Sequence, residues 1–285
     1  MDIYGEITDL VISKLDGGII PWEKGWAETG APKNIASNKQ YYGINTLLLS
    51  MMGYSSNIWG TYNQIKQKGG QVKRGEKSTP IVYFDFVKSK YETVTDKDGN
   101  EKPKIYPMLK RYSVFNILQS TLTPPTQTKV EHKPIKEVNI LIKKYVNNKV
   151  NFIRQIEQRA YYKPSEDFVN MPILSSFKKV EIYYSTLFHE LTHSTGHATR
   201  LSREGITSEK ANFGNHLYSK EELVAEMGSC FLNSMVGITS KTIDNNTAYI
   251  QSWIKALKND KKMLVSAGSK AQKAVNYIIN FQTTI

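Results

Sequence analysis

One cysteine, Cys230, is the entire thiol content of the 285-residue chain, so no intramolecular disulfide can brace it and nothing adapts it to an oxidising compartment. No apolar run approaches the roughly 18 residues that crossing a bilayer requires, which predicts a protein without a membrane span. The opening MDIYGEITDLVISKLDGG lacks a basic stretch followed by an apolar core. Instead Ile3, Ile7, Leu10, Val11 and Leu15 recur at helical spacing, the pattern of an amphipathic helix and not of an export signal. These absences point to the cytoplasm. Internal repeats and low-complexity tracts are also missing.

Acidic residues are the scarcer charge: 26 against 38 Lys and Arg leave a net charge of +12 and a pI near 9.4. The excess is spread over both halves, which suits a polyanionic partner and equally a merely basic, soluble surface. A length of 285 residues favours two domains. The composition shift in QSTLTPPTQTKVEHKPIKE, with adjacent prolines and no apolar periodicity, marks the expected linker. The reading is a domain at 1–122, a linker at 123–137 and a second domain at 138–285.

Upstream of the linker, helices are expected over 3–15, around YYGINTLLLSMMG and from Thr61 to Lys68, the last closed by Gly69 and Gly70. STPIVYFDFVKS and PKIYPMLKRYSVFN read as strands joined across TDKDGNE in a long hairpin. Downstream, VNILIKKYVNNK is helical, RAYYKP and DFVNMPI are short strands, and one helical pattern runs through SSFKKVEIYYSTLFHELTHSTG. Further helices are expected over 221–235, 248–263 and 269–281. The fold class is therefore α+β.

Histidine is scarce too, with five in the chain, yet His189 and His193 stand four residues apart around Glu190. On a helix that spacing puts both imidazoles on one face about one turn apart. The HExxH pattern belongs to zinc hydrolases: neutral imidazoles hold the ion, the ion lowers the pKa of its water to about 7, and the glutamate takes the proton. Tyr184, Leu187, Phe188 and Leu191 make the same segment apolar enough to be packed. A catalytic ion needs a third protein ligand. His197 continues the spacing but would lie about 12 Å from His189 along a straight helix, so it is read as supporting the site from outside the ligand set. In YSKEELVAEMGSCFL, Glu222 is the expected third ligand and Glu221 its nearest competitor, while Glu226 would accept the outer N–H of a ligand histidine. Zn2+ is the favoured ion, with manganese, cobalt or iron as alternatives.

The first half interleaves rings with cations. Trp22, Trp26, Tyr42, Trp59 and Tyr62 are candidates to stack on bases, with about half of the aromatic rings of this region expected in the core. Lys24, Lys39, Lys66, Lys68, Lys73, Arg74 and Lys77 are candidates to track phosphates of single-stranded DNA. In QKGGQVKRGEKS the glycines would let the backbone approach a phosphate.

Taken as a set, GIIPWEKGW, YYGINTLLL, IWGTYNQIKQKGGQVKRGEKSTPIVYF, RYSVFNILQS, AYYKPSEDFVNMPILSSF, YYSTLFHELTHSTGHATRLSR and YSKEELVAEMGSCFL resemble antirestriction proteins of the ArdC type, found on conjugative plasmids and other mobile genetic elements. The resemblance implies an N-terminal α+β single-stranded DNA-binding domain, related to the N-terminal part of TraC-type primases. A zincin-like, mainly helical metallopeptidase domain would follow, and the role would be protection of incoming DNA from host restriction. It puts His189, His193 and Glu222 on metal positions and Glu190 on the general-base position, and makes a host protein the candidate substrate. DFVNMP resembles the edge strand on which zincins lay a peptide. Ser194 departs from the family, which often has a bulky aromatic there. A DNA-coating protein whose metal is structural or regulatory, or a protease without a DNA role, remain the alternatives.

Overall fold

The computed structural model describes residues 2–22, 30–95, 99–124, 134–146, 152–208, 216–238 and 247–279. The chain folds as an α+β protein. Its first helix, α1 (Ile3–Asp16), begins where the Asp2 carboxylate accepts the Gly5 N–H at 2.9 Å. It buries Ile7, Val11 and Leu15, and it ends at Gly17 and Gly18, the latter at φ 74°. Helix α2 (Ile44–Ser50) is shorter than its apolar run because Gly43, at φ 57°, turns the chain and leaves Tyr41 and Tyr42 outside. Helix α3 (Tyr62–Gln67) is fixed by a capping box between Thr61 and Gln64.

Four strands, β1 (Lys33–Asn34), β2 (Ile58–Gly60), β3 (Thr79–Thr95) and β4 (Glu101–Asn116), form a sheet in the order β1-β2-β4-β3. β1 and β2 are parallel and the other pairs antiparallel. The hairpin of β3 and β4 runs in register from Thr79 opposite Val114 to Thr95 opposite Glu101, with an irregularity between Lys88 and Thr93. Only its base is buried. Beyond Val82 the β3 arm projects into solvent, Phe86 being 69% exposed and Tyr91 95%. Asn45 locks α2 to that base, donating to the Val82 carbonyl at 2.7 Å and accepting its N–H at 2.8 Å.

The second half opens with α4 (Pro134–Val146) and a small sheet of β5 (Ile153–Arg154), β6 (Tyr161–Lys163) and β7 (Phe168–Asn170), ordered β5-β7-β6. Helices α5 (Val180–Ser194), α6 (Glu204–Thr207), α7 (His216–Met235), α8 (Thr247–Asn259) and α9 (Met263–Ile279) complete it. α7 packs against both α5 and α9. Several helix boundaries differ from expectation, α7 for one beginning at His216 and not at Glu221. α5 starts at Val180 because residues 174–176 form a separate 3-10 turn. α8 stops at Asn259, and Met263, expected to close that helix, opens α9 instead. Asp260 breaks the chain there, its side chain accepting the Lys262 N–H and its carbonyl the Met263 N–H, both at 3.0 Å.

One contiguous apolar core joins the halves: Ile7, Val11 and Leu15 of α1 belong to the same cluster as Leu187, Met227 and Leu257. α1 packs on α8, and Trp22 meets Trp253 edge to face at 5.3 Å. Trp22 and Trp59 are 1% and 2% exposed, so both rings are core residues and not the surface stacking groups expected of them. Residues 125–133 of the expected linker, and the candidates Lys24 and Trp26, lie outside the described residues.

Candidate metal centre

The crossing of α5 and α7 sets the site. At Gly228 a Cβ would lie 2.5 Å from Thr192 Cγ2, so only glycine lets α7 come this close to α5. Thr192 fits the contact by turning its hydroxyl back to the Phe188 carbonyl at 2.7 Å. With the helices so held, Glu222 faces both histidines: its carboxylate lies 3.4 Å from His193 Nε2 and 3.6 Å from His189 Nε2. The two Nε2 atoms are 3.1 Å apart. His189, His193 and Glu222 each bring a ligand atom within 4.8 Å of the others. That donor set, two imidazoles and a carboxylate, fits a divalent transition ion.

The cluster lines a cleft of about 360 Å³ together with Glu190, Tyr161, Tyr162 and Tyr218. Burial works against charge on the imidazoles, but the carboxylates outweigh it: Glu221 and Glu222 raise His193 to about 10, and Glu222 raises His189. Burial also opposes the charge on Glu222, yet the two histidines hold its carboxyl far below the usual range. Tyr218, one turn earlier on α7, hydrogen-bonds Glu222; burial and that negative charge push its phenol up.

Glu221 does not compete for the ion; it stands behind His193. Its Oε1 lies 3.2 Å from His193 Nδ1, the nitrogen facing away from the cluster. Glu221 is in turn held by Arg203, whose Nη2 donates to Oε1 at 2.6 Å and whose Nε donates to Oε2 at 2.9 Å. The same guanidinium donates to the Thr195 hydroxyl at 2.7 Å and the Thr192 carbonyl at 2.8 Å, so it closes the end of α5 as well. Glu221 thus backs His193, while Glu226, expected to back a ligand histidine, acts on His189 through its charge. Arg203 was not legible in the sequence, because a lone arginine beyond HExxH carries no spacing signal.

His197 does not support the cluster through its imidazole. Once α5 ends at Ser194 the chain turns, and His197 Nδ1 accepts from the Thr199 N–H at 3.2 Å and pairs with its hydroxyl at 2.9 Å. Ser194 is fully buried, and the neighbouring volume is occupied by Tyr145, whose hydroxyl meets Ser194 Oγ at 2.8 Å. Arg200 ties the end of α5 to the small sheet, donating to the Ser194 carbonyl at 2.6 Å and the Asp167 carboxylate at 2.9 Å. The segment DFVNMP is not an edge: β7 is the central strand, and β6 is the outer strand that borders the cleft.

In the first half, Tyr42 and Tyr62 are 61% and 54% exposed. Lys39, Lys66, Lys68, Lys73, Arg74 and Lys77 are exposed with them. The loop carrying the last three is braced on the 3-10 turn 117–119 that follows β4 and the residues just after it, where the Lys73 N–H donates to the Gln119 carbonyl and the Thr121 N–H to that of Gln71, both at 2.9 Å.

Residues 1–115 match the family model of the N-terminal domain of the anti-restriction factor ArdC, and residues 141–270 match that of a zincin-like metallopeptidase. A DNA primase TraC of Escherichia coli is 35% identical over 98% of this chain, which spans only 27% of the primase. The metal-free crystal structure of antirestriction protein ArdC from plasmid R388 aligns with a TM-score of 0.76 at 35% identity, covering 98% of this chain and 97% of that one. Its Mn(II)-bound structure aligns with a TM-score of 0.78 at 34% identity, covering 99% and 100%. An α+β first half, an HExxH helix crossed by a glutamate helix, and a likeness running end to end through ArdC make this chain a member of the ArdC antirestriction family.

Proposed function

We propose that the chain is an antirestriction protein of a mobile genetic element, acting in the cytoplasm of a bacterial host. Residues 1–122 bind single-stranded DNA, 123–137 link, and 138–285 carry a zinc-dependent peptidase site. The observation behind the hydrolytic half is the convergence of His189, His193 and Glu222 within 4.8 Å in a cleft that also holds Glu190. Closed structural zinc sites take four protein ligands, whereas three leave a position for water, and the set among the described residues is three. The Mn(II) bound by the R388 relative supports a divalent ion at this cluster, and the nitrogen-rich donor set favours zinc.

When bound, the ion supplies a Lewis acid and an acidic water. The protein supplies the rest. Glu190 takes the proton of the attacking water and returns it to the leaving amine. Tyr218 steadies Glu222, and the Arg203–Glu221 pair fixes the tautomer of His193. An extended peptide can pair its backbone with β6, the outer strand beside the cleft.

The DNA-binding half rests on family membership and on the exposed rings and cations of the first half. Glu190→Gln tests the hydrolytic half, since the amide keeps the shape but takes no proton. It is expected to retain the ion by elemental analysis and to lose hydrolysis of host proteins by a factor of at least about 100. If wild type and variant give the same host proteome and the same protection of incoming DNA, the ion serves folding and the chain works as a DNA coat.

A further inference from the structure

A second cavity, of about 330 Å³, lies where the two halves meet, between the base of the β3 arm and α9. Its character is opposite to that of the metal cleft. Among the described residues no Asp or Glu lines it, whereas Glu190, Glu221 and Glu222 line the cleft. Two aromatic residues of the lining remain in contact with solvent on one side, Tyr42, 61% exposed, and Tyr83, 47% exposed, while Phe84, the next residue of β3, turns its ring to the opposite face of the strand. Lys273, exposed on α9, is the one cation of the described lining. Asn276, one turn further along α9, accepts from Gln272 at 3.0 Å through its carbonyl oxygen, which leaves its NH2 group as a donor toward a ligand.

The walls are preformed. Asn45 fixes β3 to α2, and the Gly43 N–H donates to Gln272 Oε1 at 3.0 Å, joining the first half to α9. At Gly268 a Cβ would lie 2.9 Å from the Ile44 nitrogen, so this glycine allows α9 to approach α2 that closely. A rigid recess with solvent-facing rings, amide donors, a cation and no described carboxylate matches one chemistry: an unpaired base with its adjoining phosphate.

We infer that this cavity seats an unstacked base of single-stranded DNA, with Tyr42 and Tyr83 as the stacking surface and Lys273 on the neighbouring phosphate. The inference rests on the single-strand reading given above and names where the strand is held. It also makes α9, which belongs to the second half, part of the DNA-binding surface. Double-stranded DNA, whose bases are stacked inside the helix, has no group to place there.

The test is fluorescence anisotropy of the full chain with a labelled oligodeoxythymidine over a range of salt concentrations. Tyr42→Ala and Tyr83→Ala are each expected to weaken binding about tenfold, while Tyr42→Phe, which keeps the ring, binds like wild type. Lys273→Gln should lower the slope of log affinity against log salt by about 0.7, the contribution of one single-strand phosphate. A 5-iodouracil oligonucleotide should crosslink on irradiation to Tyr42 or Tyr83. Wild-type binding left unchanged by Tyr42→Ala, Tyr83→Ala and Lys273→Gln would overturn the inference while leaving the single-strand reading intact. Wild type that binds no oligonucleotide even at low salt overturns both.

Discussion

Arg203→Ala is the sharpest test of how the site is built. Arg203 and Glu221 are each 5% exposed at the side chain, so neither charge can fall back on water if the other is removed. The substitution strips Glu221 of its Nη2 and Nε donors and leaves the Thr195 hydroxyl and Thr192 carbonyl without that partner. Breaking one side of a buried pair costs about 3–5 kcal/mol, and the His193 imidazole 3.2 Å from Glu221 keeps the loss toward the lower end of that range. In a chain of this size each kcal/mol moves the melting temperature by about 2–4 °C, so the fall should be on the order of 10 °C. Circular dichroism melts in excess chelator measure it without any contribution from ion binding. The double variant Arg203→Ala, Glu221→Gln removes both charges and should recover much of the loss, giving a coupling of about 2 kcal/mol or more. A single-variant cost below about 1 kcal/mol, or strictly additive losses, would falsify the view of this pair as a buried clamp behind His193.

Three further outcomes follow from the same geometry. Glu221→Gln keeps the side chain's shape but weakens its hold on His193 Nδ1, and it should lower ion affinity about 10–100-fold in a chelator competition with the fold unchanged; undiminished affinity would remove Glu221 from the site. Gly228→Ala puts a methyl group where Thr192 stands 2.5 Å away, so it should cost about 1–3 kcal/mol and weaken ion binding by shifting Glu222; a variant with wild-type stability and affinity would show that the crossing is not set there. Replacing Lys73, Arg74 and Lys77 together by Gln should reduce the salt slope of single-strand binding by about 0.7 for each phosphate no longer neutralised, and an unchanged slope would take this loop out of the interface.

The legible part of the molecule was whatever a short repeat encodes. The helix through His189 and His193 followed from apolar residues at helical spacing, the long hairpin from two β-rich runs around a polar turn, and α3 from the Gly69-Gly70 stop that closes it. What failed depended on neighbours distant in sequence. Trp22 is a core residue because α8 brings Trp253 onto it, and no local pattern reports that. Glu221, read as a competitor for the ion, stands behind His193 because Arg203 enters beside it, after a turn whose path cannot be read from periodicity. β7 reads as an edge strand in isolation and becomes central only when β5, too short to be signalled, pairs along its other side.

Charge accounting explains why the site is arranged around two histidines and not more carboxylates. Glu190, Glu221 and Glu222 share one cleft, with Glu226 close enough to act on His189, and Arg203 is a single positive charge against them. Such a concentration of negative charge is unstable out of water unless it is balanced. Protons on the imidazoles are one balance, consistent with the upward displacement of both histidines by the surrounding glutamates. A divalent cation is the other, which is why two imidazoles and a carboxylate converge where three glutamates line one cleft.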